Sequence, residues 1–276
     1  MTPPVFRHEA MATFFEITIA GQVETYARQA AGAAWRELDR LEGELSRFVE
    51  SSDISRANRL PRGGTTEIGD DALECLLLAA EVSVETRGAF DPAFASVRAA
   101  ERAPEAPAFT LDPAAHTLTS QAERLQLDLG AVGKGYALDK MADLLREWNI
   151  ISACLNSGGS TALALASPLG TAGWTVGLGD RTILLADAAL SGSGTAVKGA
   201  HLIDPHTGAP AKRAGRAWAL APTAALSDAL STAFFVWDDA EVAAFCAVHP
   251  EIGAALAAPP ARTVLHGTLV DRCKRD

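Results

Sequence analysis

The segment from Asp128 to Asp139, Asp-Leu-Gly-Ala-Val-Gly-Lys-Gly-Tyr-Ala-Leu-Asp, constrains the fold of this chain more than any other. Ahead of it, Leu125, Leu127 and Leu129 alternate with polar residues, the period of a half-buried strand. Beyond it, Leu138, Met141, Leu145 and Trp148 recur at helical spacing from Tyr136 onward. A strand, a glycine-rich turn and an amphipathic helix in succession require a fold that combines sheet with helix. Such a turn exposes backbone N–H groups and the positive end of the helix dipole, and Lys134 adds a full charge. The segment supports either an anion site or a tight structural turn bearing a solvated lysine.

Two common nucleotide motifs are excluded. Only Ala131 and Val132 separate Gly130 from Gly133-Lys134, and Gly135 stands where a P-loop needs Ser or Thr. The dinucleotide pattern Gly-x-Gly-x-x-Gly is also absent here.

With 276 residues, 48% of them hydrophobic and 21% charged, the chain is long enough for one large domain or two lobes around a substantial core. The net charge of −10 argues against a nucleic-acid partner, and a bound phosphate ester would need a cation beside it. Apolar runs such as Ile183-Leu184-Leu185-Ala186 are broken by charge well short of a membrane span. Met1 to Glu9 carries neither a basic and apolar leader nor an early lipid-attachment cysteine, so the chain as given is expected in the cytoplasm, with export the alternative if a leader is missing. Cys75, Cys154, Cys246 and Cys273 are scattered and read as reduced thiols.

Periodicity predicts a first strand through Phe15, Ile17 and Ile19, after Met11-Ala12-Thr13. A long helix follows, its apolar face running from Val23 to Phe48, and Ser51-Ser52-Asp53 stops it. A second helix starts near Asp70 and ends at Gly88. Residues 99–115, rich in Ala, Pro and charge, read as a surface connection or insertion between lobes. A strand over 150–155, a hairpin pairing 174–178 with 182–185, helices around Leu226 to Trp237 and after Asp238, and short strands near Ile252 and Val264 complete the reading.

Two further segments bear chemistry. His201-Leu202-Ile203-Asp204-Pro205-His206-Thr207-Gly208 is turn chemistry from Asp204 onward, which leaves His201 unexplained. On the helix around Leu226 to Trp237, Asp228 and Thr232 lie four residues apart on one face. A carboxylate and a hydroxyl one turn apart are hard oxygen ligands suited to Mg²⁺ completed by water and phosphate, although Asp228 alone reads equally as a helix cap.

These segments, in this order, resemble the ApbE-type FAD:protein FMN transferase family. The resemblance extends through Met11-Ala12-Thr13, Leu45 to Phe48, Ser52 to Asn58, Ala89-Phe90-Asp91-Pro92, Asp128 to Asp139, Asn156 to Gly159, Ser191-Gly192, His201 to Gly208 and Asp228 to Thr232. It implies a single domain over 1–276 of α+β, T-fold-like architecture, with mixed and antiparallel sheets flanked by helices and a flavin-nucleotide cleft between two lobes. It implies a Mg²⁺-dependent enzyme that takes FAD as substrate, moves FMN onto a Ser or Thr hydroxyl of an acceptor flavoprotein and releases AMP. By position, Mg²⁺ would be held by Asp228, Thr232 and the main-chain carbonyl of Ala131. FAD would touch Met11, Phe48, Ala89, Phe90, Asp91, Asp128, Lys134, Ile203 and Ser231, and His201 would serve as base alongside Asp228. The chain departs from the family pattern at Ala12 (commonly Gly), Ser160 (commonly acidic) and Gly192-Ser193-Gly194 (commonly Gly-Asp-aromatic). FAD hydrolysis to FMN and AMP, or FAD binding without turnover, are the alternatives.

Overall fold

The computed structural model describes residues 2–97, 106–194, 202–213, 215–258 and 262–272. The chain opens with a hairpin, β1 (Val5–Ala10) and β2 (Thr13–Ala20), rather than with a single strand after Met11. Met11 and Ala12 form its two-residue turn, both at positive φ (48° and 56°), the geometry whose twist matches that of the flanking strands. Alternation carries Phe15, Ile17 and Ile19 fully inward. Helix α1 (Glu24–Leu45) buries Ala27, Ala30, Ala34, Leu38 and Leu41 along one stripe. It stops three residues before Phe48, which leaves the apolar face and stands 82% exposed with the Arg47 guanidinium 4.4 Å over its ring. Helix α2 (Asp53–Ala57) starts where the Ser52 hydroxyl accepts from Ser55 N–H.

A short β3 (Thr65–Glu67) precedes α3 (Asp70–Glu85). Of the Ala/Pro-rich stretch 99–115, residues 99–105 lie outside the described residues. Phe109–Asp112 forms β4, which pairs with β5 (Thr117–Ser120), so this half is sheet rather than connection. Order β3-β5-β4 makes a small antiparallel sheet.

The strand expected over Leu125 to Leu129 is not one. The three leucines are buried, and the segment is extended, but it joins no β-ladder beyond a bridge from Arg124 to Val97. Its polar groups are met by side chains and loops instead. Leu127 N–H donates to Asn58 Oδ1 at 2.6 Å and its carbonyl accepts from Asn58 Nδ2 at 3.0 Å, so one amide side chain imitates a neighbouring strand. Asp128 N–H donates to the Pro92 carbonyl at 2.8 Å.

Helix α4 (Gly133–Glu147) follows, then β6 (Ser152–Ser157), β7 (Thr161–Ala164), the hairpin β8 (Trp174–Leu178) and β9 (Arg181–Leu185), and β10 (Ala188–Gly194). The chain closes with β11 (Arg216–Ala221), α5 (Ala224–Val236), α6 (Asp239–Val248), β12 (Gly253–Ala257), β13 (Val264–Gly267) and α7 (Thr268–Arg272). The main sheet runs β1-β2-β6-β7-β10-β11-β12-β13, and every ladder among the described residues is antiparallel. One face, with Ile17, Leu155, Leu163, Ala189 and Ala219, shares a core with α1, α4 and α5. The other, with Ala162, Leu190, Trp218 and Leu220, packs under the β8–β9 hairpin and α7. None of the described helices is long and apolar enough to cross a membrane.

Candidate active site

The site lies where α4 begins and α5 crosses it. A Cβ built on Gly135 would stand 2.2 Å from the Ala224 carbonyl oxygen, so glycine alone permits this approach of the two helices. Contact at this range places two carboxylates reciprocally. Asp139 of α4 accepts from the Ala224 and Ala225 N–H groups, each at 2.8 Å, satisfying donors at the start of α5. Asp228 of α5 accepts from Gly135 N–H at 3.3 Å in the first turn of α4.

The two carboxylates differ in company. Burial pushes the Asp139 carboxyl up to about 6, against the pull of its two backbone N–H bonds. Asp228 is 5% exposed and has a cation beside it, the Lys134 ammonium 3.6 Å from Oδ2. Lys134 also donates to the Gly130 carbonyl. Asp228 Oδ1 accepts from the Thr161 hydroxyl at 3.4 Å, and Thr161 in turn accepts from Ser191 at 3.0 Å. One turn further along α5, Ser231 donates to the Asp228 carbonyl at 2.9 Å, and Ser193 contacts both Ser231 and Thr232, at 2.9 and 3.2 Å.

The glycine turn continues this group toward solvent. Asp128 Oδ1 accepts from Gly130 N–H at 2.8 Å and its Oδ2 lies 3.4 Å from Arg47 Nε, which connects the turn to exposed Phe48. The Pro92 carbonyl holds Asp128 N–H, which brings Asp91 alongside. Ala89 and Phe90 have buried side chains, so only their backbone is available to a ligand; Asp91 Oδ1 accepts from Ala93 N–H. His206 binds the Arg87 carbonyl at 2.8 Å and so docks the Ile203–Pro210 turn beside residues 89–91. Met11, partly buried, sits in the β1–β2 turn, just ahead of β2, the strand that neighbours β6.

Asp128, Lys134, Asp228, Ser231 and Thr232 are thus joined by contacts, with Ala131 in the turn between them. His201 lies outside the described residues. Sequence reasoning missed Thr161, Ser191, Ser193 and Asp139 as parts of this arrangement. Each is a Ser, Thr or Asp in an ordinary periodic pattern, and only sheet register and helix crossing bring it to Asp228 or α5.

A hard divalent cation fits these residues chemically. Carboxylate, hydroxyl and backbone carbonyl oxygens are present, and an ammonium already bridges Asp228 and a turn carbonyl. No three His, Cys, Asp or Glu side chains gather among the described residues. Cys75, Cys154 and Cys246 are buried and unbridged, with burial raising their thiols.

The fold class is that of solved flavin transferases. The Pseudomonas stutzeri flavinyl transferase ApbE, apo form, superposes with a TM-score of 0.84 at 19% identity over 98% of this chain and 97% of its own. The Thermotoga maritima apbe protein gives 0.83 at 22% identity over 100% of both chains. The profile of the ApbE family matches residues 11–256, and the chain belongs to that family. Two curated relatives are each named FAD:protein FMN transferase. One, from Treponema pallidum, is 30% identical over 58% of this chain and 51% of its own length. The other, from Rhodobacter capsulatus, is 28% identical over 81% and 49%. The chain therefore spans about half the length of these two.

Proposed function

We propose that this protein transfers FMN from FAD to a Ser or Thr hydroxyl of an acceptor flavoprotein and releases AMP, with Mg²⁺ held by Asp228, Thr232 and the Ala131 carbonyl. The observation that carries the reading is the buried Asp228 carboxylate, fixed by Thr161 and Gly135 and faced by Lys134 at the start of α4. Membership of the family and the names of its relatives support the substrate.

Phosphoryl transfer asks mainly for positioning and for neutral surroundings to phosphate charge. When bound, Mg²⁺ would screen the pyrophosphate oxygens and polarise the bond to be broken. Lys134 supplies a second positive charge, and it moves from Asp228 to a phosphate oxygen at little cost because its stem is flexible and 22% exposed. Lys134 lies in the first turn of α4, where its N–H and the helix dipole favour an anion, while the Gly133 N–H is taken by the Leu129 carbonyl at 2.6 Å. Phe48 offers an exposed ring for a planar ligand, with Arg47 holding it beside Asp128. Met11, Asp91 and Ile203 complete the proposed FAD contacts; the Ser231 side chain is buried and engaged by the Asp228 carbonyl and Ser193, so its part in binding is to support Thr232 from beneath. His201 is the base that takes the acceptor hydroxyl proton as the oxygen attacks phosphorus.

The test is incubation with FAD, Mg²⁺ and a flavoprotein acceptor. AMP in solution and covalent FMN on the acceptor are expected together, both dependent on the metal. AMP without labelled acceptor would replace this reading with FAD hydrolysis. Bound FAD with neither product would leave a binding protein.

A further inference from the structure

The protons around α5 can be counted, since each hydroxyl has one to give. Ser231 spends its proton on the Asp228 carbonyl, which has none to return. Ser193 must therefore donate to Ser231, and Thr232 must donate to Ser193. That sequence turns the Thr232 lone pairs away from the sheet. A second chain starts two residues earlier on β10: Ser191 donates to Thr161, and Thr161 donates to Asp228 Oδ1. Ser191, Thr161 and Ser231 are buried at 2% exposure or less, so no competing water holds them. The first chain runs from Thr232 to the Asp228 carbonyl and the second ends on the Asp228 carboxylate, so between them they touch both members of the i, i+4 pair of α5, through the alternate β10 residues Ser193 and Ser191.

We infer that Ser191 and Ser193 of β10, with Thr161 of β7, are positioning residues that orient the Asp228 carboxylate and the Thr232 hydroxyl as one oxygen pair toward a divalent cation. The inference rests on the metal reading proposed above and adds to it the groups that preorganise the ligands. Their contribution lies in holding lone pairs in place before the ion arrives, so their loss weakens metal affinity without removing a ligand.

Mn²⁺ titrated into the 276-residue chain without FAD, with free ion counted by electron paramagnetic resonance, tests this apart from turnover. Thr161→Val, which keeps the shape and removes the hydroxyl, is expected to weaken Mn²⁺ binding by about tenfold, and Ser193→Ala by about threefold to tenfold. Thr161→Ser retains the hydroxyl and is expected within about twofold of wild type, which separates hydrogen bonding from packing. FAD binding without metal is expected to be unchanged in all three. If Thr161→Val and Ser193→Ala bind Mn²⁺ as wild type does while Asp228→Asn does not, the positioning role is wrong and the metal site stands. If Asp228→Asn binds Mn²⁺ normally, or wild type does not bind it, the metal reading itself fails and takes this inference with it.

Discussion

Helices α4 and α5 each lend a carboxylate to the start of the other, and the two carboxylates do different things. Asp139 accepts hydrogen bonds from two backbone N–H groups, and burial raises its carboxyl to about 6. Asp228 meets a backbone N–H, a hydroxyl and an ammonium. The first arrangement closes a helix end; the second keeps a charge in a buried place where a ligand can use it. The lesson is that burial alone does not distinguish a cap from a site, whereas a buried carboxylate provided with a movable cation and oriented hydroxyls points to chemistry.

The largest expected effect comes from forcing the two helices apart. Gly135→Ala drives a methyl into the Ala224 backbone and should cost about 3 kcal/mol of stability, disturbing both carboxylates together. Chemical denaturation would measure it, and an unchanged midpoint would show that the helices have room to slide. Breaking only the cap, by Asp139→Asn, should cost about 1 to 2 kcal/mol, because one of the two N–H groups then faces an amide donor.

That cap also has a pH signature. The Asp139 carboxyl rises from 3.8 to about 6 on folding, so the folded protein holds the proton more tightly. Its contribution to stability therefore falls as pH rises through the interval from 3.8 to about 6. Denaturation of wild type and Asp139→Asn in parallel should show a stability gap that narrows with rising pH across that interval.

The smallest effect is a control remote from both helices. Ala12 sits at φ 56° in the β1–β2 turn, a conformation that glycine adopts freely. Ala12→Gly should raise stability by about 0.5 to 1 kcal/mol and leave the pH profile of the Asp139 comparison untouched.

Much of this was legible in the sequence. Helical spacing located α1, α3, α4, α5 and α6, and Asp228 and Thr232 stood out by their separation. The β1 strand was not, since Arg7, His8 and Glu9 give it the polarity of a loop, while only Phe6 and Ala10 turn to the core. Leu125, Leu127 and Leu129 misled because alternation reports an extended, half-buried chain and says nothing about its partner. Here that partner is Asn58, 69 residues earlier than Leu127. The hydroxyl chains were illegible for a similar reason: Thr161 faces Ser191 only through the β7–β10 register.

The division of labour between the two carboxylates is tested most directly by comparing Asp228→Asn with Asp139→Asn, measuring Mg²⁺-dependent release of AMP from FAD and the thermal midpoint of each. Asp228→Asn is predicted to lose AMP formation while its midpoint stays close to wild type. Asp139→Asn is predicted to keep most of its turnover, at temperatures where it is folded, with a lowered midpoint. AMP formation by Asp228→Asn at the wild-type rate would contradict the account.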